Sequence, residues 1–297
     1  MELIRTGKVK DVYDLGDRLL FKFSDRISVF DKIIPVKVPD KGASICKTSA
    51  FWFDKLNHMR INNDLIEVKS NNEMIVRKYK INESGGSKFW INYLVPLEFV
   101  VRYYVAGSLM DRIESGKIDF HDLGFRSVPK IGEPLDEPFF EMTTKFEKTD
   151  RPLSITEAME IGGLYMYEVL EIKEAILRID DMIQKQVSKG KLIHADGKKE
   201  FAMDNERKIT VVDTFGTADE DRFWELDDYN KGKITEISKE LVRQYYRSTG
   251  YHDRLYEARA KGLSEPEIDP LPQDLIKKTS ELYRSLYTRI TGEKWGN

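Results

Sequence analysis

The chain has 297 residues, with 48 Lys+Arg against 51 Asp+Glu, so 48 − 51 gives a formal net charge of −3. Its length exceeds the usual domain size of about 100–150 residues and predicts two lobes, while the near balance of charge excludes the basic footprint of a general nucleic-acid binder. Hydrophobic residues at 40% and aromatics at 11% exclude a disordered chain.

At the start, residues 1–7 contain no apolar stretch resembling a signal peptide. Residues 7–17 read as an extended strand in which Lys8 and Lys10 point to one face. Residues 19–23, 73–79 and 97–104 combine β-formers with partial alternation, and are expected to be strands of one antiparallel sheet. Between them Phe51, Trp52, Leu56 and Met59 have helical spacing, predicting a helix over 47–59, and Gly85-Gly86 marks a loop over 81–87. The only cysteine, Cys46, lies at this helix start and is read as a small packed residue, so no disulfide or multi-cysteine metal site is expected. The most apolar stretch, 91–110, is interrupted by Pro96, Glu98, Arg102 and Gly107 and is not a membrane span.

Residues 154–189 place apolar side chains at three- and four-residue intervals, which predicts one or two amphipathic helices opened by the capping box Ser154-Ile155-Thr156-Glu157. Residues 191–195 and 209–213 read as a strand pair with a turn at 204–206. Helices are expected over 235–248 and 274–291, the second preceded by a linker with Pro266, Pro270 and Pro272. The fold class is therefore α+β: a sheet-rich N-terminal lobe, 1–97, and a larger mixed lobe, 98–297. The expected protein is cytoplasmic, with no nucleic-acid or membrane partner.

Three segments could carry chemistry. Lys8 and Lys10 beside Gly7 could converge on a polyphosphate, or simply form a solvated strand face. If the strand ending at Ala195 continues, Asp196, Lys198 and Glu200 share a face, and an antiparallel partner can bring Asp213 beside Glu200. Facing carboxylates call for a cation such as magnesium, though a charged surface hairpin gives the same pattern. Arg102, followed by Ala106-Gly107-Ser108, can hold a phosphate or carboxylate, and Lys145 and Arg222 offer similar anion contacts, unless each is a surface ion-pair residue. No catalytic triad signature, Walker A loop, Rossmann fingerprint or His-Glu-x-x-His motif is present.

Taken together, Gly7-Lys8-Val9-Lys10-Asp11-Val12-Tyr13, residues 24–31, Pro39-Asp40-Lys41-Gly42, Val101-Arg102 to Ser108, Thr144-Lys145-Phe146-Glu147, residues 195–201 and Val212-Asp213 to Trp224 resemble the SAICAR synthetase family. The resemblance implies a two-lobed, ATP-grasp-like or kinase-like fold with ATP between the lobes. It also implies an ATP-dependent ligase joining L-aspartate to carboxyaminoimidazole ribotide, with Mg2+ on the phosphates; the sequence leaves a homo-oligomer open. By matching position, Lys8 and Lys10 would contact ATP phosphates, Leu94 to Glu98 would line its adenine side, and Glu200 and Asp213 would hold Mg2+. Asp31, Arg102, Ser108, Lys145 and Arg222 would bind substrate, while Asp196, Lys198 and Arg222 would serve catalysis.

The chain departs from the family pattern at Thr214, Ala218, Glu220-Asp221 and Arg151. Carboxylates at 220 and 221 would weaken anion binding at Arg222 if they faced the site. Two other readings accompany these departures: a ligase or kinase acting on a related anionic metabolite, and a silent nucleotide-binding relative.

Overall fold

The structure, a computed structural model, describes residues 1–147 and 150–296. In chain order its strands are β1 (Glu2–Thr6), β2 (Lys10–Asp14), β3 (Arg18–Phe23), β4 (Arg26–Val29), β5 (Lys32–Lys37), β6 (Leu65–Ser70) and β7 (Glu73–Arg77). They continue with β8 (Tyr93–Leu94), β9 (Leu97–Tyr104), β10 (Pro134–Thr144), β11 (Pro152–Leu153), β12 (Leu192–Met203), β13 (Ile209–Val212) and β14 (Asp221–Glu225). The helices are α1 (Lys41–His58), α2 (Ser108–Glu114), α3 (Ile155–Gly162), α4 (Met166–Val187), α5 (Leu226–Tyr229), α6 (Glu240–Ser248), α7 (Tyr251–Ala260) and α8 (Gln273–Thr291).

Two compact units emerge: residues 1–51, 65–77 and 236–297 form one, and residues 52–64 and 78–235 the other. Compactness thus does not follow a single cut between 97 and 98. The C-terminal helices fold with the N-terminal strands because their apolar faces complete one core: Val242, Tyr246, Tyr251, Leu255 and Ile276 pack with Ile27, Val29, Ile34 and Val38. Contacts between residues so distant in sequence leave no local signal.

The first unit contains an antiparallel sheet of order β1-β2-β3-β7-β6 and the separate hairpin β4-β5. Residues 7–9 are the turn joining β1 to β2, not part of a strand, so the alternation expected of Lys8 and Lys10 does not apply there. The Gly7 amide donates to the Lys10 carbonyl at 2.9 Å and closes this turn. Helix α1 begins six residues earlier than its apolar spacing indicates, where the Gly42 amide donates to Asp25 Oδ1 at 3.0 Å. Cys46 is buried in it, and burial pushes its thiol up to about 12, which makes it a packed, inert residue. Helix α6 starts at Glu240 rather than near 235. Helix α7 was not expected from the sequence, although Tyr251, Leu255 and Ala258 line its buried face.

The second unit is built on the sheet β11-β10-β9-β12-β13, with β8 and β14 also pairing with β12. β9 therefore belongs to a different sheet from β3 and β7, a correction to the single sheet expected. A central strand buried at five of its eight residues, it has a local pattern that does not encode its partners. The helical stretch over 154–189 resolves into α3 and α4. Ser154 Oγ accepts from the Glu157 amide at 3.3 Å while the Ser154 amide donates to Glu157 Oε2 at 2.9 Å, completing the expected capping box. The apolar stripe of α4, with Ile172, Ile176, Ile179 and Ile183, is buried, and the helix packs on β12.

Candidate active site

β12 does not stop at Ala195 but runs through Met203, pairing with β9 on one side and successively with β14 and β13 on the other. A register shift between His194 and Asp196 changes the parity of the strand. After that bulge Asp196, Lys198 and Glu200 share one face, as the sequence predicts. Register aligns Asp196 with both Arg102 and Arg222, and aligns Lys198 with Val100. Glu98, Arg102, Glu141 and Arg222 therefore project on this same side.

One end of the face is an arginine cluster. Arg102 donates from Nε to Glu141 Oε1 at 2.9 Å, from Nη1 to Asp196 Oδ2 at 2.7 Å and from Nη2 to Ser108 Oγ at 3.4 Å. Arg222 donates to the same Asp196 oxygen, and Arg112 from α2 pairs with the other oxygen of Glu141. Gly107, at φ 54°, lies so close to Arg222 that an added Cβ would sit 2.4 Å from its Nη2. Only glycine lets the guanidinium lie against this turn. Arg102, Arg112 and Arg222 meet the carboxylates of Glu141 and Asp196 here, an arginine-rich end of the kind that takes phosphate or carboxylate groups.

The other end is acidic. Lys198 Nζ lies 2.7 Å from Glu98 Oε1, 3.2 Å from Glu220 Oε2 and 3.9 Å from Glu200 Oε1. Lys145 pairs with Glu200 and feels the charge of Asp213. Asp213 follows Val212, the partner of Glu200 in the β12–β13 ladder, at a positive φ of 64° that aspartate tolerates better than most residues. Burial by itself would lower both lysines, but the carboxylates outweigh it: Glu200 and Asp213 raise Lys145, and Glu220, Glu98 and Glu200 raise Lys198. Burial pushes Glu98 up to about 7 against the pull of Lys198, with Glu200 and Asp150 adding to the rise. Two lysines face Glu98, Glu200, Glu220 and Asp213; with Glu98 near 7 the balance lies between 2 − 3 and 2 − 4 at neutral pH, an excess of one to two negative charges. Glu200 and Asp213 supply hard carboxylate oxygens, the ligand type a divalent cation such as magnesium takes.

Of the remaining expected site residues, Leu94 and Glu98 belong to this same unit, whereas Lys8, Lys10 and Asp31 belong to the first. Leu94, on β8, packs beside Tyr79, Ala202 and Val212, whereas Glu98 turns toward Lys198. In the first unit, Lys8 Nζ meets Asp31 Oδ1 at 2.5 Å and Lys10 Nζ lies 4.4 Å from the Phe21 ring centroid. Arg26 braces their hairpin by donating to the Gly7 carbonyl at 3.1 Å and to both oxygens of Asp11. Asp31 sits with Phe30 in the two-residue β4–β5 turn, both at positive φ.

Sequence reading missed Glu141 and Arg112, which orient Arg102. A glutamate embedded in Phe139-Phe140-Glu141-Met142 was the available signal for the first; nothing local marks the second. The acidic pair before Arg222 also behaves differently from a simple anion repellent. Glu220 bonds Lys198, and Asp221 turns to the opposite side of the sheet, where it is buried against His194 and Lys199.

The SAICAR synthetase family model matches residues 3–258. Over 297 residues the chain is 57% identical to the phosphoribosylaminoimidazole-succinocarboxamide synthase of Thermoplasma acidophilum, covering 99% of this chain and 100% of that one. The solved SAICAR synthase of Saccharomyces cerevisiae, complexed with SAICAR, superposes with a TM-score of 0.76 at 26% identity and covers 99% of this chain and 96% of that chain. A SAICAR synthetase solved in complex with ADP shares the fold at TM-score 0.71 and 24% identity, covering 98% of each chain. Motif order, full-length relatives and an α+β fold of antiparallel sheets agree: this chain belongs to the SAICAR synthetase family.

Proposed function

We propose that the protein ligates L-aspartate to the carboxylate of carboxyaminoimidazole ribotide, converting ATP to ADP and phosphate and producing SAICAR in de novo purine biosynthesis. The observation that carries this reading is the segregation of charge on one sheet face, with an arginine-rich end and a carboxylate-rich end. Such a reaction needs one region for phosphate and carboxylate groups and another that neutralises a polyphosphate through a metal ion.

A carboxylate is a poor acyl donor. Its oxygen attacks the γ-phosphorus of ATP, ADP leaves, and the aspartate amine then attacks the acyl carbon, losing a proton as phosphate departs. Positioning and charge neutralisation supply most of the catalysis in such transfers. Arg102, Arg222 and Ser108 are assigned to the ribotide phosphate or the substrate carboxylates, with Asp196 holding the two guanidinium groups in register. Lys198 is assigned to the charge developing on the transferring groups, and Lys145 and Asp31 to substrate binding. Lys8 and Lys10 are assigned to ATP phosphates, and Leu94 and Glu98 to the adenine side. When bound, Mg2+ would neutralise phosphate charge, held by Glu200 and Asp213.

Among the described residues no helix is long and apolar enough to cross a membrane. The proposed setting is the cytoplasm, and a homo-oligomer would be read out by sedimentation. ADP release with Mg2+, carboxyaminoimidazole ribotide and L-aspartate, each omitted in turn, tests the reaction. Release that requires both substrates supports it. Release with another acceptor instead of the ribotide would identify a different ligase or kinase, and ATP binding without turnover a silent relative.

A further inference from the structure

The opposite side of the same strands carries a second set of ionisable groups that the proposed chemistry does not use. Lys199 of β12 pairs with Asp180 of α4 and lies 3.2 Å from Asp221 Oδ2 of β14, all three side chains having 0% exposure. His194 Nε2 donates to Asp221 Oδ2 at 2.6 Å, and the Gly216 amide donates to Asp221 Oδ1 at 2.7 Å. Tyr103 of β9 donates its hydroxyl to Asp180 Oδ2 at 3.0 Å. His194 Nδ1 has no hydrogen-bond partner and lies 4.0 Å from Asp180 Oδ1.

Asp180, His194 and Asp221 are of metal-ligating type and close together. The ammonium of Lys199 already sits against both carboxylates, so the cation of this cluster is a lysine. Space confirms how tightly it is built: a Cβ on Gly197 would fall 2.0 Å from Asp221 Oδ2 and 2.6 Å from Lys199 Nζ. Gly197 is the residue paired with Asp221, and its neighbour Asp196 is paired with Arg222.

Resting on the ligase reading above, we propose that the buried Lys199, Asp180, Asp221 and His194 cluster is a positioning device for the arginine end of the site. It ties α4, β9, β12 and β14 together, one residue away from Arg102 and Arg222 and two from Asp196. A buried, multiply bonded carboxylate at 221 fixes the backbone of β14, and strand alternation then aims Arg222 at the opposite face. Asp221 acts through Arg222 and touches no substrate.

The test is Asp221→Asn, which preserves shape and removes the charge. The expected result is a folded protein whose KM for the ribotide rises by about tenfold or more, while kcat and the KM for ATP change much less. In 15N-arginine-labelled protein the Arg222 Nε–H resonance, assigned by its loss in Arg222→Lys, is expected to shift or broaden. A purely stabilising cluster would lower the thermal midpoint and leave both the KM and the resonance at their wild-type values, which would overturn the proposal. If Asp221→Asn does not fold, His194→Leu, which removes one donor to Asp221 and leaves its charge, provides the same two readouts. Absence of turnover in the unaltered protein would sink the ligase reading instead, with the Arg222 resonance still deciding this one.

Discussion

The two sides of β12 use similar residue types under different access to solvent. On the site face Lys198 is 26% and Arg222 21% exposed, and the lysine is shared among three carboxylates. On the far side Lys199, Asp180 and Asp221 are fully enclosed and bonded mainly to one another. A partly solvated set can exchange its internal partners for a ligand. An enclosed set cannot do so without leaving a charge uncompensated. Adjacent residues of one strand are thereby divided between binding and architecture.

Breaking the site face at its metal end is expected to have the largest effect. Glu200→Ala should lower turnover by about 10³-fold or more while circular dichroism and thermal melting still report a folded protein. Full activity in that variant would remove Glu200 from the metal assignment. The far side should respond in the opposite currency: Lys199→Met strands two buried carboxylates and should cost about 3–5 kcal/mol in denaturant-measured stability. A change under about 1 kcal/mol would show that the enclosed set is not held by its charge pairing.

The arginine end should give an intermediate effect. Arg222→Met is expected to raise the KM for the ribotide by about 10- to 100-fold, the equivalent of losing one charge-assisted hydrogen-bonding group, with the melting curve little altered. An unchanged KM would place the ribotide away from Asp196 and Arg222. The smallest expected effect is the pH response of Glu98. Its folded-state value of about 7 lies above the ordinary glutamate value, so the folded protein holds this proton more tightly. The associated stability is fully present below about pH 4.5 and is lost as pH rises through about 7. Thermal midpoints of Glu98→Gln, followed between pH 5 and 8, should therefore decline less with rising pH than those of the parent; parallel curves would contradict the burial argument.

Several features were legible before any coordinates. Ser154 and Glu157 form their capping box through interactions three residues apart, and the stripe of α4 follows from helical periodicity. The common face of Asp196, Lys198 and Glu200 follows from the two-residue period of a strand, and motif order across the chain pointed to the family. Lys8 was misread because a two-residue spacing has meaning only inside a strand, and residues 7–9 are a turn. Helix α7 escaped because its ten residues carry a short apolar pattern among charged neighbours.

The alternation of β12, the caps and the composition were thus determined by the sequence itself, because each depends on residues within a few positions of one another. Only the tertiary structure decided that β9 leaves the first sheet to lie between β10 and β12, or that α6 to α8 complete the N-terminal core. It also decided the meaning of the −3 net charge. Pairings across as many as 100 positions, such as Lys198 with Glu98, sort nearly cancelling charges into an arginine-rich end, a carboxylate-rich end and an enclosed cluster. Coulomb interactions act over ångströms in space, and composition records only their sum.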